Sequence, residues 1–364
     1  MTDSHSHTAA AASGSASEPI SRREPLRLLD LFAGAGGLTL GFTQTGAFEP
    51  CFAVEVNRAA ADTFAHNFGC DVREGPIEEV ATFPEGDVIV GGPPCQGFSP
   101  LGRDRDEHSR ARLNALWEHY LRAVRDVKPR AFVIENVPAF QRSPQFAELM
   151  QRMETKRPFR QYRFAYGVLD AADYGVPQHR KRGIFIAVRG RKEVPWPPPP
   201  THGPGSPSCT DYATVREAIA DLPFEPDDKN LHYGRNPRQI SLERYRAVPP
   251  GGNRFDLQRN RPDLTPRCWL EKPSGTTDVM GRLHWDRPAG TIRTEFFKPE
   301  KGRYLHPEAD RPITHREAAR LQTFPDTFEF QGSRIEIARQ IGNAVPPGLA
   351  KAIGLHIARI VGVQ

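Results

Sequence analysis

The chain has 364 residues, 38% of them hydrophobic and 26% charged, and a formal net charge of +5. No run approaches about 18 consecutive apolar residues, so we expect no membrane-spanning helix and no membrane partner. Residues 1–24 are rich in Ser, Ala and His and lack both a basic start and an apolar segment, which predicts a disordered tail rather than a secretory signal. The five cysteines have no paired zinc spacing and fit no closed disulfide framework, so we expect reduced thiols and no metal centre.

Positive charge is concentrated in one segment of the chain. Between Tyr233 and Arg303, fifteen Lys and Arg residues stand against eight Asp and Glu residues, a surplus of seven that exceeds the surplus of the whole chain. The remainder of the protein is therefore slightly acidic. A basic segment beside a near-neutral body indicates a polyanionic partner, although a solvated charged surface is the alternative interpretation.

The first predicted elements are a strand, a glycine turn and a helix. An apolar run at residues 26–32 is followed by AGAGG and then by LTLGF, whose apolar positions have helical spacing. Such glycines let a ligand approach the backbone, and the free N–H groups of a helix start favour a polar or anionic group. A purely structural tight turn is the alternative.

A carboxylate follows this turn at an informative distance. Glu55 lies near the end of the next predicted strand, residues 51–56, and 21 residues after Gly34. At about this distance an acidic residue can accept hydrogen bonds from ribose hydroxyls. The pattern therefore predicts a nucleoside-bearing cofactor. ATP is disfavoured because no Walker lysine follows the glycines.

The stretch GGPPCQGFSP, residues 91–100, holds a single thiol in a rigid turn. It follows a strand-like run at residues 87–90, and its prolines fix φ while its glycines permit backbone angles that other residues avoid. Ligands of open α/β sheets bind at the carboxyl ends of the strands. A structural cysteine does not need this scaffold, so we predict that Cys95 is a nucleophile.

A carboxylate is predicted at the same edge of the sheet. An amphipathic helix is predicted over residues 109–127, and the buried strand after it, residues 131–134, is followed directly by Glu135. The alternative for Glu135 is a helix N-cap or a surface loop. We take Cys95 and Glu135 together as the centre of the candidate site.

Two arginines begin a later strand. Arg180 and Arg182 lie two residues apart at the start of the strand predicted over residues 183–188, so they are expected to share one face. His179 alternates with them and is expected to point away. Guanidinium groups suit carboxylates and phosphates because they are permanently charged and fork-shaped. The alternative is an exposed basic turn.

The alternation of strands and helices stops near Arg191, where a proline-rich linker begins. The segment after it, residues 201–285, is irregular and rich in Pro, Gly, Arg and aromatic residues. Helical patterns return at residues 315–322, 336–341 and 347–361. We predict a disordered tail (1–24), the first part of a catalytic and cofactor-binding domain (25–190), a linker with an inserted domain (191–285), and a return to the first domain (286–364).

These motifs, in this order, resemble those of the DNA cytosine-5 methyltransferases. DLFAGAGG (residues 30–37) is similar to the family's cofactor loop, GGPPCQGFS to its nucleophile loop, ENV (135–137) to its ENV motif, and QHRKR (178–182) to its QxRxR pattern. RPITHREAARLQTFP (311–325) and QIGNAVPP (340–347) are similar to its ninth and last motifs. The resemblance covers nearly everything from Leu28 to Ile360 apart from most of the insert.

The resemblance implies a fold and a cofactor. The fold class would be α/β, with the Rossmann-like sheet of S-adenosylmethionine-dependent methyltransferases, an inserted small target-recognition domain, and a last motif that packs beside the first. The cofactor would be S-adenosylmethionine, with Glu55 on its ribose. The residues implied to line its pocket are Phe32, Gly34, Gly36, Glu55, Ile77, Leu116, Asn343 and Val345.

One position departs from the family pattern. Where the family usually has an Asp that contacts the adenine amino group, this sequence has Pro76, which offers neither a side-chain acceptor nor an N–H group. Adenine recognition must therefore differ here. Asp71 and Glu74 are the two alternatives for this role, and the sequence leaves the choice open.

The resemblance also implies a reaction on C5 of cytosine in a specific duplex DNA sequence. Cys95 would add to C6 of a base that has left the duplex, and Glu135 would hold N3. Arg180 and Arg182 would stabilise the thiolate and the adduct. The basic insert would contact phosphates and base edges. Further DNA contacts are implied for Gln96, Ser99, Thr291 and Ile292.

The expected setting is that of the compact bacterial enzymes of restriction–modification systems, which lack large N-terminal regulatory modules. Such a protein would be a cytoplasmic monomer that associates with the nucleoid through DNA, and a cognate restriction endonuclease is a possible partner. Two alternatives are an RNA methyltransferase on the same fold and a non-catalytic DNA-binding regulator. The basic insert argues against the first, and the intact set of Cys95, Glu135, Arg180 and Arg182 argues against the second.

Overall fold

In the computed structural model of the chain, the described residues are 24–94, 107–271 and 277–363, with side chains described except at residues 107–114. The predicted disordered tail lies almost entirely outside these residues. Among the residues described, no helix combines the length and the apolar character needed to cross a membrane.

The first half of the chain alternates strands with helices, as the sequence predicts. The strands are β1 (Leu26–Leu31), β2 (Phe48–Glu55), β3 (Asp71–Glu74), β4 (Val88–Gly91), β5 (Ala131–Asn136), β6 (Tyr162–Asp170) and β7 (Lys181–Arg189). The helices between them are α1 (Gly37–Thr43), α2 (Arg58–Phe68), α3 (Glu107–Val127) and α4 (Pro144–Thr155).

These strands form one seven-stranded sheet in the order β3-β2-β1-β4-β5-β7-β6. The four pairings among β1 to β5 are parallel, whereas β7 runs antiparallel to both β5 and β6. The strand order reverses between β1 and β4, and ligands of such sheets bind at the carboxyl ends of the strands near this point. The predicted α/β class with a Rossmann-like sheet is confirmed.

Both faces of the sheet are covered, because apolar side chains alternate along each strand. On one face Leu28 and Val88 pack with Phe42 of α1 and with the C-terminal helix. On the other face Leu29 and Ile89 pack with α3 and α4. This arrangement fixes the register of the strands and therefore the positions of the residues that follow them.

The second half of the chain contains shorter elements. Its helices are α5 (Val215–Ile219), α6 (Gln239–Ala247), α7 (Arg254–Asn260), α8 (Arg267–Glu271), α9 (His315–Leu321), α10 (Arg334–Asn343) and α11 (Pro347–Val361), and its strands are β8 (Gly281–Arg282) and β9 (Arg303–Leu305). Helix α11 returns to the sheet and packs on its first face.

A separate apolar core holds most of this half together. Val215 and Ile219 of α5 pack in it with Phe296, with α9 and with Ile337 of α10. The packing therefore crosses the boundary predicted at residues 285 and 286, since residues on both sides share one core. The four-segment division itself stays a prediction.

Candidate active site

The ends of β4 and β5 bring a carboxylate to the turn that precedes Cys95. Gly91, the last residue of β4, pairs with Ile134 of β5, so Gly92 follows β4 beside Glu135, which still pairs with Ile184 of β7. A Cβ atom on Gly92 would lie 2.9 Å from Oε2 of Glu135, so a larger residue there would displace this carboxylate. The predicted site residues Cys95, Gln96 and Ser99 lie outside the described residues.

Glu135 is almost enclosed and has a cationic partner. Only 12% of its side chain is exposed, and Nε of Arg182 lies 2.8 Å from its Oε1. Burial raises the pKa of Glu135 above its ordinary value, while the guanidinium groups of Arg182 and Arg180 act against that rise. A carboxyl group with a raised pKa can carry a proton closer to neutral pH than a free one can.

Arg180 and Arg182 flank the start of β7, but their surroundings differ. The side chain of Arg182 is 15% exposed, whereas Arg180 is 1% exposed. Nη1 of Arg180 donates to the carbonyl of Ile292 at 2.9 Å, and Nη2 donates to the carbonyl of Gly342 at 2.8 Å. Its buried Nε has no hydrogen-bond partner among the described residues. Arg180 therefore joins three distant segments of the chain beside the carboxylate.

Of the two DNA-contacting residues implied in the return segment, only Thr291 is exposed. Its hydroxyl donates to the carbonyl of His179 at 2.9 Å. Ile292 has no exposed surface, because its apolar side chain packs in the second core and its N–H donates to the buried Gln178. A side-chain contact between Ile292 and DNA is incompatible with this packing. His179 is partly exposed, and its Nδ1 lies 3.1 Å from Oδ2 of Asp170. The partner of its imidazole is therefore Asp170 and not Glu135.

The glycine turn after β1 surrounds a second carboxylate. Oε2 of Glu55 accepts a 2.8 Å hydrogen bond from the N–H of Gly34, and Oε1 accepts one of 2.8 Å from the N–H of Asn57. Phe32, Gly34 and Gly36 all have positive φ, so the turn curls tightly at this point. The space beside Gly34 is open, since a Cβ atom there would meet nothing within 4 Å. The structure brings these four predicted residues together.

Two further predicted pocket residues lie next to this turn. Ile77 is buried in an apolar cluster against which Phe32 and Leu116 also pack. The guanidinium of Arg122 donates to the carbonyl of Ile77 at 2.9 Å and holds the segment after β3 against α3. Leu116 is partly buried in this cluster, so Phe32, Ile77 and Leu116 pack together.

The last motif meets the first helix by direct backbone contact. A Cβ atom on Gly37 would lie 2.3 Å from the carbonyl oxygen of Val345, closer than any side chain tolerates. Val345 is buried in the first core, while Asn343 is exposed at the end of α10. The predicted return of residues 340–347 to the glycine turn is therefore observed.

Pairing within the sheet distinguishes the two acidic residues near Pro76. Glu74 is the register partner of Glu55, whereas Asp71 pairs with Phe52. Glu74 thus ends its strand at the edge that carries Glu55. Asp71 begins the same strand and lies further from that edge.

Comparison with known proteins gives the family. The family model described as C-5 cytosine-specific DNA methylase matches residues 26–359. The chain belongs to this family. The predicted family and the predicted methyltransferase activity are therefore confirmed, and the alternative of an RNA methyltransferase is not favoured.

Relatives of this C-5 cytosine-specific DNA methylase match its sequence or its structure over nearly the whole chain. The Type II methyltransferase M.NgoFVII of Neisseria gonorrhoeae is 35% identical, covering 90% of this chain and 86% of the relative. The Type II methyltransferase M1.HphI of Haemophilus parahaemolyticus is 33% identical, covering 92% of this chain and 87% of the relative. The crystal structure of an E. coli prophage protein named as a DNA modification methyltransferase superposes with a TM-score of 0.69 at 25% identity, covering 93% of this chain and 99% of that one.

Sequence reasoning did not assign roles to three buried polar residues of this methylase. Nδ2 of Asn136 donates to the carbonyl of Pro93 at 2.9 Å. Gln178 is fully buried and donates to Gln322 at 2.9 Å. Asp30 accepts from the hydroxyl of Thr39 at 2.7 Å, and burial raises its pKa to about 7. Each residue stands inside a motif already recognised, so membership of the motif was the available signal.

Proposed function

We propose that this chain transfers a methyl group from S-adenosylmethionine to C5 of cytosine in a specific duplex DNA sequence, through a covalent adduct with Cys95. The observation that carries the proposal is the contact between Glu135 and Arg182, beside the turn at Gly92 and Pro93 that leads into Cys95. A thiol, a buried carboxyl group and a guanidinium at one sheet edge are the groups that this chemistry requires.

C5 of cytosine is a weak nucleophile, so the ring must first gain electron density. The Cys95 thiolate adds to C6, and the electron pair of the C5–C6 double bond moves into the ring. Glu135 donates its proton to N3 as negative charge builds there, and the raised pKa of Glu135 favours this role. Arg182, 2.8 Å from Glu135, adds positive charge that lowers the pKa of a thiol beside it.

S-adenosylmethionine, when bound, supplies an electrophilic methyl group that C5 attacks. Water then removes H5 as a proton, and the electrons of the C5–H5 bond restore the C5–C6 double bond. The S–C6 bond breaks, Cys95 leaves as a thiolate, and Glu135 recovers the proton from N3. For any of this to occur the base must rotate out of the duplex by about 180°.

The residues around the glycine turn fit a nucleoside-bearing cofactor. Glu55 offers a buried carboxylate held by two N–H groups, and the open space at Gly34 lets a ligand reach the backbone. We assign the ribose hydroxyls to Glu55. The remaining lining is assigned to Phe32, Gly36, Ile77, Leu116, Asn343 and Val345.

We assign recognition of the adenine amino group to Glu74, because Pro76 stands where the family usually has the Asp that makes this contact. The pairing of Glu74 with Glu55 at the sheet edge supports this assignment, because Asp71 pairs with Phe52 instead. Glu74→Gln should weaken cofactor binding measured by calorimetry, and Asp71→Asn should leave it unchanged. The reverse pattern would move the assignment to Asp71.

The DNA partner is assigned to the exposed Thr291 together with Gln96, Ser99 and the basic segment between Tyr233 and Arg303. Lysines and arginines of this segment would contact phosphates, so binding should weaken steeply as salt rises. Arg180 is assigned a supporting role through its two backbone contacts rather than a contact with the base.

The setting proposed is a restriction–modification system in the bacterial cytoplasm, where a monomer would act on nucleoid DNA beside a cognate endonuclease. Support comes from the relatives M1.HphI and M.NgoFVII, both of which are named Type II methyltransferases.

The experiment that tests the function is sequencing of 5-methylcytosine in DNA from cells that express the protein, beside a Cys95→Ala control. Modification at one short sequence, absent from the control, is expected. Methylation that persists in the control would refute the nucleophile. Absence of modification in both, together with methyl transfer to tRNA in a labelled assay, would overturn the assignment of DNA as substrate.

A further inference from the structure

A cavity of about 270 Å³ lies in the second half of the chain, away from the site described above. It opens where α9 and α10 begin, and its principal walls are Tyr233, Arg235, Phe297, His315, Arg334 and Ile335. Helix α10 runs from Arg334 at this cavity to Asn343 at the cofactor edge, nine residues later. At about 1.5 Å per residue the two sites are separated by roughly 14 Å along the helix.

Aromatic rings form one side of the cavity. The ring centroids of Tyr233 and His315 are 4.8 Å apart, and the rings of His315 and Phe297 are nearly parallel at 5.9 Å. Burial lowers the pKa of His315 to about 4, so its ring is uncharged at neutral pH. These flat, uncharged surfaces suit a planar aromatic ligand.

Positive charge lies against the same aromatic residues. The guanidinium carbon of Arg334 lies 3.9 Å from the ring centroid of Tyr233, and Nη1 of Arg235 donates to the carbonyl of Phe297 at 2.9 Å. In the described part of the chain no acidic residue lines the cavity. Asp228 approaches Arg334 only to 4.0 Å, with both side chains largely exposed. The charge of the two arginines is therefore available to an anion.

We propose that this cavity binds a mononucleotide. Its base would lie against Phe297 and Ile335, and its phosphate would pair with Arg235 and Arg334. The volume is slightly below the roughly 300 Å³ at which pockets for larger ligands begin, which suits one nucleotide rather than a dinucleotide. The nucleotide is either free or the unpaired terminal nucleotide of a DNA strand.

The test uses the full chain saturated with S-adenosylhomocysteine, so that the cofactor pocket is filled, and titrates deoxyadenosine 5′-monophosphate calorimetrically. Arg334→Gln should weaken binding about tenfold, as expected for loss of one charged hydrogen bond, whereas Tyr233→Phe should bind like the parent because the Tyr233 hydroxyl is enclosed. Ile335→Trp should fill the cavity and abolish binding, since Ile335 is 56% exposed and tolerates replacement. Arg339→Gln, an exposed arginine of the same helix, is the matched control and should bind like the parent.

Unchanged S-adenosylhomocysteine affinity in each variant verifies the fold. Competition by a duplex with an unpaired 5′-phosphorylated nucleotide, but not by a blunt duplex, identifies a DNA end as the source; no competition by either identifies the free nucleotide. The proposal is overturned if no heat is measured at millimolar nucleotide, or if all four variants bind like the parent.

Discussion

The side-chain amide of Asn136 donates a 2.9 Å hydrogen bond to the carbonyl oxygen of Pro93, and its own oxygen accepts from the N–H of Val137 at 2.8 Å. Asn136 is 5% exposed, so neither bond competes with bulk water. The strand end that carries Glu135 is thus tied to the turn two residues before Cys95. The position of the turn relative to Glu135 depends on this amide.

Asn136→Ala should therefore reduce turnover by misplacing the turn. It leaves the carbonyl of Pro93 and the N–H of Val137 without partners, at a cost of about 1–3 kcal/mol in the free energy of unfolding. We expect kcat to fall at least about tenfold while the calorimetric affinity for S-adenosylmethionine stays within twofold, because a small displacement of reacting groups is costly. Asn67→Ala, an asparagine remote from the turn, is the control; equal losses in both would contradict the positioning role.

Arg182→Met should move the pH optimum of methyl transfer to higher pH. The pKa of Glu135 is raised by burial, and Arg182 acts against the rise, so removing the guanidinium raises that pKa further. Protonated Glu135 then persists to higher pH. The maximal rate should fall by about 10²-fold.

Rates measured from pH 5.5 to 9.5 check this expectation. Arg182→Lys keeps the charge and should shift the profile less, and Arg189→Gln, at the far end of β7, should not shift it. A profile for Arg182→Met that overlays the parent's would show that this arginine does not act on the titrating groups.

Gly37→Ala should separate the last motif from the glycine turn. The added methyl group would lie 2.3 Å from the carbonyl of Val345, which must move. Overpacking of this kind costs about 1–3 kcal/mol, and we expect cofactor affinity to fall at least about tenfold. Urea unfolding and calorimetry measure the two effects. Gly205→Ala, whose methyl group would meet only Pro200 at 3.7 Å, is the control and should change neither.

Stability should decline as the pH falls below about 6.5. Burial lowers the pKa of His306 from 6.5 to about 4, so between these values the unfolded chain binds a proton that the folded chain does not. The stabilisation is complete above pH 6.5 and is lost as the pH falls towards 4, amounting to at most about 3 kcal/mol for this residue.

His306→Asn provides the test by urea unfolding between pH 7.5 and 5. Nδ1 of His306 accepts from the N–H groups of Glu308 and Ala309, and an asparagine oxygen can accept in its place without titrating. The variant should lose stability less steeply with falling pH than the parent. Parallel curves for the two proteins would rule out His306 as a source of the slope.

Local signals explain which elements could be predicted from the sequence. Helix α2 spans residues 58–68 because Asn57 caps its first turn and Gly69 ends it in a left-handed conformation. Helix α11 likewise begins at Pro347 and ends before Gly362. Strand β2 begins three residues earlier than expected, because Pro50 is accommodated where the pairing with β1 shifts register between Leu28 and Leu29.

Contacts between distant segments could not be predicted in this way. Glu55 and Glu135 were found because each lies at a strand end, a position that local pattern specifies. Nothing local indicates that Arg180 would be buried against the carbonyls of Ile292 and Gly342, 112 and 162 residues away. The burial of Ile292 follows from the same tertiary packing, which no local pattern indicates.

The hydrogen bonds from Arg180 to the carbonyls of Ile292 and Gly342 also bear on when the protein becomes active during its synthesis. One of these two carbonyls belongs to Gly342, and the backbone of Val345 contacts the first glycine turn. Translation proceeds from the first strand towards these residues, so a nascent chain can build the sheet long before either contact is possible. Activity should therefore switch on only as the final helix emerges from the ribosome, and prematurely terminated chains that retain every catalytic side chain should remain inert.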